Sequence, residues 1–90
     1  MLLSWDPKKA QSNWKKHGVT FNEAASVFGD PLAITFADPD HSLDEERHLT
    51  FGLSRSNRVL VVSHHDSGGT TRIITARPLT REERTIYEEG

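Results

Sequence analysis

The stretch "NWKKHGVTFNEA", Asn13–Ala24, decides how the first third of the chain folds. Two lysines and a histidine run into Gly18, and Gly suits the left-handed position that ends a helix. Thr20 followed three residues later by Glu23 is the spacing of a capping box, which opens a second helix. Val19 and Ala24 stand where a hydrophobic staple would close the corner. Upstream, Asp6-Pro7 supplies an N-cap and a first helical residue. Ala10, Trp14 and His17 recur at helical spacing, with Asn13 beside them. Downstream, Phe21, Ala24, Ala25 and Phe28 form one apolar stripe, and "GDP" ends the second helix.

The middle of the chain reads as β-structure. "LAITF" places Leu32, Ile34 and Phe36 on one face. "DPDHSLDEE", residues 38–46, is a polar loop. "RHLTFGL" aligns Arg47, Leu49, Phe51 and Leu53 by parity. "SRSN" and "DSGG" are turns on either side of "RVLVVSHH", a strand apolar enough to be central. In "TTRIITARP", parity puts Arg72, Ile74 and Ala76 on one face and Ile73, Thr75 and Arg77 on the other. "TREE" is a second capping box, Thr80 with Glu83, opening a last helix with Ile86 and Tyr87. With "LLSW" as a short first strand, the order is β-α-α-β-β-β-β-α. That order predicts an α+β domain, residues 1–90, with a mostly antiparallel sheet and helices on one face.

At 90 residues, 34% hydrophobic and 27% charged, the chain fits one small soluble domain. A chain of this length buries only about 60–65% of its unfolded surface. No apolar run approaches the roughly 18 residues of a membrane span. The N-terminus lacks a basic region and a cleavage site, so no signal peptide is expected. With no cysteine there is neither a disulfide framework nor a thiolate zinc site. A cytoplasmic setting is expected. The net charge of −2 argues against tight non-specific nucleic-acid binding. Its distribution tempers that: residues 1–18 hold four lysines against one aspartate, and residues 70–84 four arginines against two glutamates.

Each candidate group has a structural and a chemical reading. Lys15, Lys16 and His17 favour the negative pole of a helix dipole, or Lys16 and His17 serve phosphate binding and proton transfer. Arg72, Arg77, Arg81 and Arg84 form a solvated face paired with glutamates, or they bind phosphate, whose geometry the guanidinium fork matches. Glu46 and Arg47 lie at a frayed strand start, or they sit in a cleft as base and phosphate ligand. "HHD" and "DPDH" raise the question of a metal. Adjacent residues on a strand face opposite ways, so His64 and His65 do not readily share an ion. Gly68-Gly69 is a hairpin turn, not a phosphate loop. A Ser-His-Asp arrangement stays open on composition, but no nucleophile elbow is present.

The pieces "SWDPKKA", "NWKKHGVTFNEAASVFGDPLA", "DEERHLTFGLS", "RVLVV" and "RIITARPLTREERTIYEE" together resemble the BrnT family of bacterial toxins over nearly the whole chain. Two departures stand out: Trp14 where a smaller aliphatic is expected, and "ITARP" where "ISAR" is commoner. The resemblance implies a RelE-like fold, a small antiparallel sheet with two N-terminal helices packed on it and a C-terminal helix. It implies a ribonuclease toxin of a type II toxin–antitoxin system that stops translation, with no metal or cofactor. It also implies a ribbon-helix-helix antitoxin that neutralises the toxin and joins it in repressing their operon, so operator DNA is met only through the antitoxin. On the matching positions, Arg72 and Arg77 would hold phosphate with Arg81 nearby. Lys16 or His17 would supply a proton or charge, and Glu46 would act as base with Arg47 orienting it. Lys15 and Arg84 would add RNA contacts. Two other readings compete: a non-catalytic partner in a repressor complex, and a metal-dependent hydrolase using the histidines.

Overall fold

The computed structural model describes residues 1–41 and 43–90; the loop expected over 38–46 therefore includes one residue, Ser42, outside the described ones. The strands are β1 (Leu2–Trp5), β2 (Ile34–Ala37), β3 (Arg47–Leu53), β4 (Val59–Ser67) and β5 (Thr70–Pro78). The helices are α1 (Pro7–His17), α2 (Phe21–Ser26) and α3 (Arg81–Glu89), and short 3-10 turns span Val27–Gly29 and Pro39–His41. The five strands lie in the order β1-β5-β4-β3-β2. β1 runs parallel to β5 and the other pairings are antiparallel, so the sheet is mixed rather than antiparallel throughout. A parallel neighbour needs a long connection, and here the rest of the fold supplies it.

The corner between α1 and α2 forms for the local reasons the residues suggest. The Asp6 carboxylate accepts the Lys8 N–H at 2.9 Å, and Pro7 takes the first helical position. Gly18, at φ 67°, ends α1 and donates its N–H to the Trp14 carbonyl. Thr20 accepts the Glu23 N–H at 3.0 Å. The reciprocal half of that box is absent, because the Glu23 carboxylate turns inward to Arg58 and Ser54. Arg58 also donates to the Gly18 carbonyl at 3.0 Å, so one ion pair ties the helical corner to the β3–β4 turn. At Val27 the helix tightens to 3-10 geometry, and Val27 enters the core while Phe28 stays at its edge.

The core joins Val19, Phe21, Ala24 and Val27 to Leu60, Val62, Ile73 and Ala76. Each large side chain buried there gains about 1.5–3 kcal/mol over exposure. Two apolar expectations fail. Trp14 is 56% exposed, and the inward residue of α1 is Asn13. Leu32 precedes β2 and is exposed.

Asn13 does a strand's work. β1 pairs with β5 only as far as Ile73, leaving the later β5 backbone without a neighbour on that side. Asn13 accepts the Ala76 N–H at 3.0 Å and donates to the Ala76 carbonyl at 2.8 Å and to the Val19 carbonyl at 2.9 Å. An amide side chain can meet donor and acceptor together, as a neighbouring strand would.

A bulge decides which arginines share a face. Ser63 pairs with Thr75 but His64 pairs with Ile73, so Ile74 is left over. One unpaired residue reverses parity along the strand. Arg72, opposite His65, and Arg77, opposite Val61, therefore lie on the same face, contrary to the parity expectation. This face is the one turned away from α1 and α2.

α3 starts with a full capping box: Thr80 accepts the Glu83 N–H, and Glu83 accepts the Thr80 N–H. None of its residues is buried. Arg77–Glu83 and a 2.5 Å bond from the Tyr87 hydroxyl to Asp30 hold it. Burial pushes the Asp30 carboxyl up, but bonds from Tyr87, Leu53 and Leu32 outweigh it and hold the group below the usual carboxylate range. The same contact raises the Tyr87 phenol to about 12.

Candidate active site

The face away from α1 and α2 carries three cross-strand rows: Arg47, His65 and Arg72; Leu49, Ser63 and Thr75; Phe51, Val61 and Arg77. Leu49, Ser63, Thr75 and Val61 floor a hollow of about 290 Å³, rimmed by Arg47, Arg77, Asp38, Asp40 and His41. Arg47 and Arg77 are thus brought to one site.

Arg47 is the unusual member. Its Nε is buried without a hydrogen-bond partner, the only such side-chain atom among the described residues. The nearest acidic oxygen, Asp38 Oδ2, is 4.0 Å away. A buried guanidinium N–H without an acceptor costs free energy until an anion or water reaches it. Asp38 is buried and committed elsewhere. It accepts the Asp40 N–H at 3.0 Å and the Nδ1 of His41 at 3.1 Å. With Nδ1 held by a carboxylate, the half-exposed His41 ring has no Nε2 partner among the described residues.

Arg77 is paired differently. Both its terminal nitrogens meet Glu83, at 2.8 and 3.0 Å. That fork lowers the Glu83 carboxyl to about 2, against the opposing effect of burial. Arg77 therefore docks α3 at the rim while presenting a charge that Glu83 offsets.

Lys16 and His17 line a second hollow of about 250 Å³ with Lys9, Ser12, Asn13, Ile74 and Thr75. Thr75 also lines the first hollow, so the end of α1 adjoins the arginine site. Arg72 is exposed on the same face, in the outermost row. Glu46 lies outside the hollow, with its carboxylate 3.7 Å from His65 Nε2. Arg81 and Arg84 stand exposed on α3, where Arg84 faces Glu88 at 3.9 Å. Lys15 lines a separate groove of about 490 Å³ with Trp5, Trp14 and Phe21.

Sequence reading weighed "DPDH" only as a metal cluster and did not bring Asp38 and His41 to the arginine site. The available signal was "DPDH" read as a turn: an Asp accepting the N–H two residues on, which places His three residues on against the same carboxylate.

His64 and His65 face opposite sides of the sheet, as strand parity requires. A hydrogen-bonded chain does join Thr50, His64 and Asp66, at 2.7 and 2.8 Å. Thr50 is only 1% exposed, so its hydroxyl is no nucleophile for a substrate. Among the described residues, His48, His64 and Asp66, and separately Asp44, Glu46 and His65, stand close enough to share a metal ion.

An arginine-bearing sheet face, with two helices on the opposite face, defines a small α+β protein built on a mixed five-stranded sheet. Comparison with known proteins then places it. The family model described as "Ribonuclease toxin, BrnT, of type II toxin-antitoxin system" matches residues 5–83, and the chain belongs to this BrnT family. The 1.1 Å crystal structure of the Brucella abortus ribonuclease toxin BrnT superposes with a TM-score of 0.70 at 20% identity, over 90% of this chain and all of that one. At that identity the likeness speaks for the fold. No curated protein matches the chain. Membership implies an antitoxin partner. No described helix is long and apolar enough to cross a membrane.

Proposed function

We propose that the hollow beside Arg47 cleaves RNA by acid–base chemistry without a metal, and that the antitoxin neutralises this activity. The observation that carries the reading is Arg47, whose side chain lines the hollow while its buried Nε has no hydrogen-bond partner. A phosphate in the hollow would give the Arg47 guanidinium the close counter-charge that Asp38, 4.0 Å away, does not supply. Arg72 and Arg77 extend positive charge along the face on which the backbone would lie, with Lys15, Arg81 and Arg84 as outer contacts.

In this reading His41 Nε2 takes the proton of the attacking 2′-hydroxyl, with Asp38 orienting the ring and stabilising the imidazolium. The new bond joins the 2′-oxygen to phosphorus, and the bond from phosphorus to the 5′-oxygen breaks. His17 or Lys16, across Thr75, protonates the leaving 5′-oxygen. Arg47 and Arg77 stabilise the charge that builds on the phosphate. Glu46, outside the hollow and 3.7 Å from His65 Nε2, is not the base in this reading.

Family membership supports an antitoxin partner; the proposal adds that this antitoxin is of ribbon-helix-helix type, that translation is the target, and that the pair represses the shared operon. A net charge of −2 favours operator contact through the antitoxin. One observation favours a non-catalytic partner instead, namely that both terminal nitrogens of Arg77 are paired with Glu83. Inducible expression without antitoxin separates the two. The proposal expects growth arrest with cleaved RNA, and relief of both in Arg47→Ala and His41→Ala proteins that still bind antitoxin. A wild-type chain that leaves growth and RNA untouched overturns it.

A further inference from the structure

On the opposite side of the sheet from the hollow, three potential ligands converge for reasons of register. His48 on β3 lies directly across from His64 on β4, and Asp66 is two residues further along the same face of β4. A cross-strand pair plus an i+2 neighbour brings three side chains to one point above a sheet. His64 Nδ1 is 2.8 Å from Asp66 Oδ1, and His48 Nδ1 is 3.2 Å from Asp66 Oδ2. The two imidazole rings stack at 5.8 Å with planes 22° apart. One ligand atom from each residue falls within 4.8 Å of the others. Tetrahedral zinc holds its ligands at about 2.0–2.2 Å, which sets neighbouring donor atoms about 3.3 Å apart.

We propose that His48, His64 and Asp66 form a zinc site that braces the β3–β4 pair. Two imidazoles and one carboxylate are a ligand set that Zn²⁺ accepts, with a water completing the tetrahedron. The surroundings fit. His64 is only 3% exposed, with the edge of Phe28 packed against it at 5.1 Å, so one side of the site is dry. His48 and Asp66 are partly exposed and leave the fourth position open to solvent. The outer partners of His64 are also in place, and the Glu46 carbonyl oxygen lies 3.0 Å from His48 Nδ1. His64 Nε2 is 2.7 Å from the Thr50 hydroxyl, which is 2.7 Å from the Thr35 hydroxyl. A proton on Nε2 donates along that chain and frees the Nδ1 lone pair for the ion, the arrangement by which a ligating histidine is held. The other cluster, Asp44, Glu46 and His65, has gaps of 3.7–3.9 Å to the histidine and has no buried ligand. The zinc site lies away from the hollow and is independent of how RNA is cleaved.

The test is calorimetric titration of the untagged, chelator-stripped full chain with ZnCl₂, paired with the absorption spectrum on adding Co²⁺. One equivalent should bind, the Tm should rise with added zinc, and the cobalt complex should show the intense bands of tetrahedral geometry. His48→Ala and Asp66→Asn should each weaken binding at least as much as loss of an outer partner does, about 10–100-fold, and Thr50→Val should fall in that range. His65→Ala should bind as the wild type does. Asp66→Asn keeps the side-chain shape, and His48 is partly exposed, so the proposal does not hang on a His64 variant that fails to fold. No binding by the wild type at submillimolar zinc overturns it. So does binding that survives in His48→Ala and Asp66→Asn but is lost in His65→Ala.

Discussion

Replacing Asn13 by alanine tests the joint between the first helix and the sheet. Asn13 is 5% exposed and makes three hydrogen bonds, two to Ala76 and one to Val19. Alanine leaves one N–H and two carbonyls without partners. Orphaned buried groups cost about 1–3 kcal/mol each, and water entering from the hollow beside Asn13 recovers part of that. A net loss of about 3 kcal/mol is expected, a large share of the 5–15 kcal/mol typical of a domain. In urea this moves the midpoint down by about 1–3 M at the slopes usual for small proteins. Trp5 and Trp14 provide the fluorescence signal. Asn13→Asp makes a sharper contrast. At neutral pH it sets a carboxylate oxygen against two carbonyl oxygens, where the amide nitrogen sat at 2.8 and 2.9 Å. It should be less stable than the alanine variant at pH 7. Burial among acceptors raises that carboxyl above its unfolded value, so the deficit should shrink as pH falls and the acid becomes a donor. An alanine variant within about 0.5 kcal/mol of wild type, or an aspartate variant that outperforms it at neutral pH, refutes the reasoning.

Other consequences follow from the packing. A Cβ on Gly52 would sit 2.7 Å from the buried Val27 Cγ1, so Gly52→Ala should cost about 1–3 kcal/mol and lower the Tm by several degrees; an unchanged Tm contradicts this. The Glu83 carboxyl falls from 4.5 to about 2 on folding, which is at most about 3 kcal/mol, and with Arg77 39% exposed screening reduces it to about 1 kcal/mol. Because the folded value is the lower one, that stability is present above pH 4.5 and is lost as pH falls toward 2; Glu83→Gln should flatten this part of the stability profile. Tyr87→Phe removes the bond to Asp30 and should speed amide exchange in α3 while the core strands keep their protection. Equal protection of α3 in both proteins would mean that the contact does not hold the helix.

What could be read from the sequence was local. Gly18, Thr20 and Thr80 act at helix ends through bonds to residues within four positions, and spacing alone reveals them. Long-range partners were not visible. Nothing near Glu23 announces Arg58, 35 residues away, so the capping box looked complete. Trp14 and Asn13 are adjacent, and hydropathy favours the tryptophan for the interior; the unpaired stretch of β5 reverses that choice. The arginine face was misjudged for one reason. Parity counting assumes an unbroken ladder, and the extra residue at Ile74 turns Arg72 to the side of Arg77. Parity set Arg47 on the same face as Leu49, and both residues line the hollow.

The most direct test of the account is the RNA-cleavage rate of the purified chain in chelator, wild type against Arg47→Ala, with circular dichroism confirming that both are folded. The account predicts activity that survives the chelator and falls about 10²–10³-fold on loss of this one electrostatic donor, with partial recovery in Arg47→Lys. A folded Arg47→Ala protein that cleaves RNA at the wild-type rate, or a wild-type protein silenced by the chelator, would contradict it.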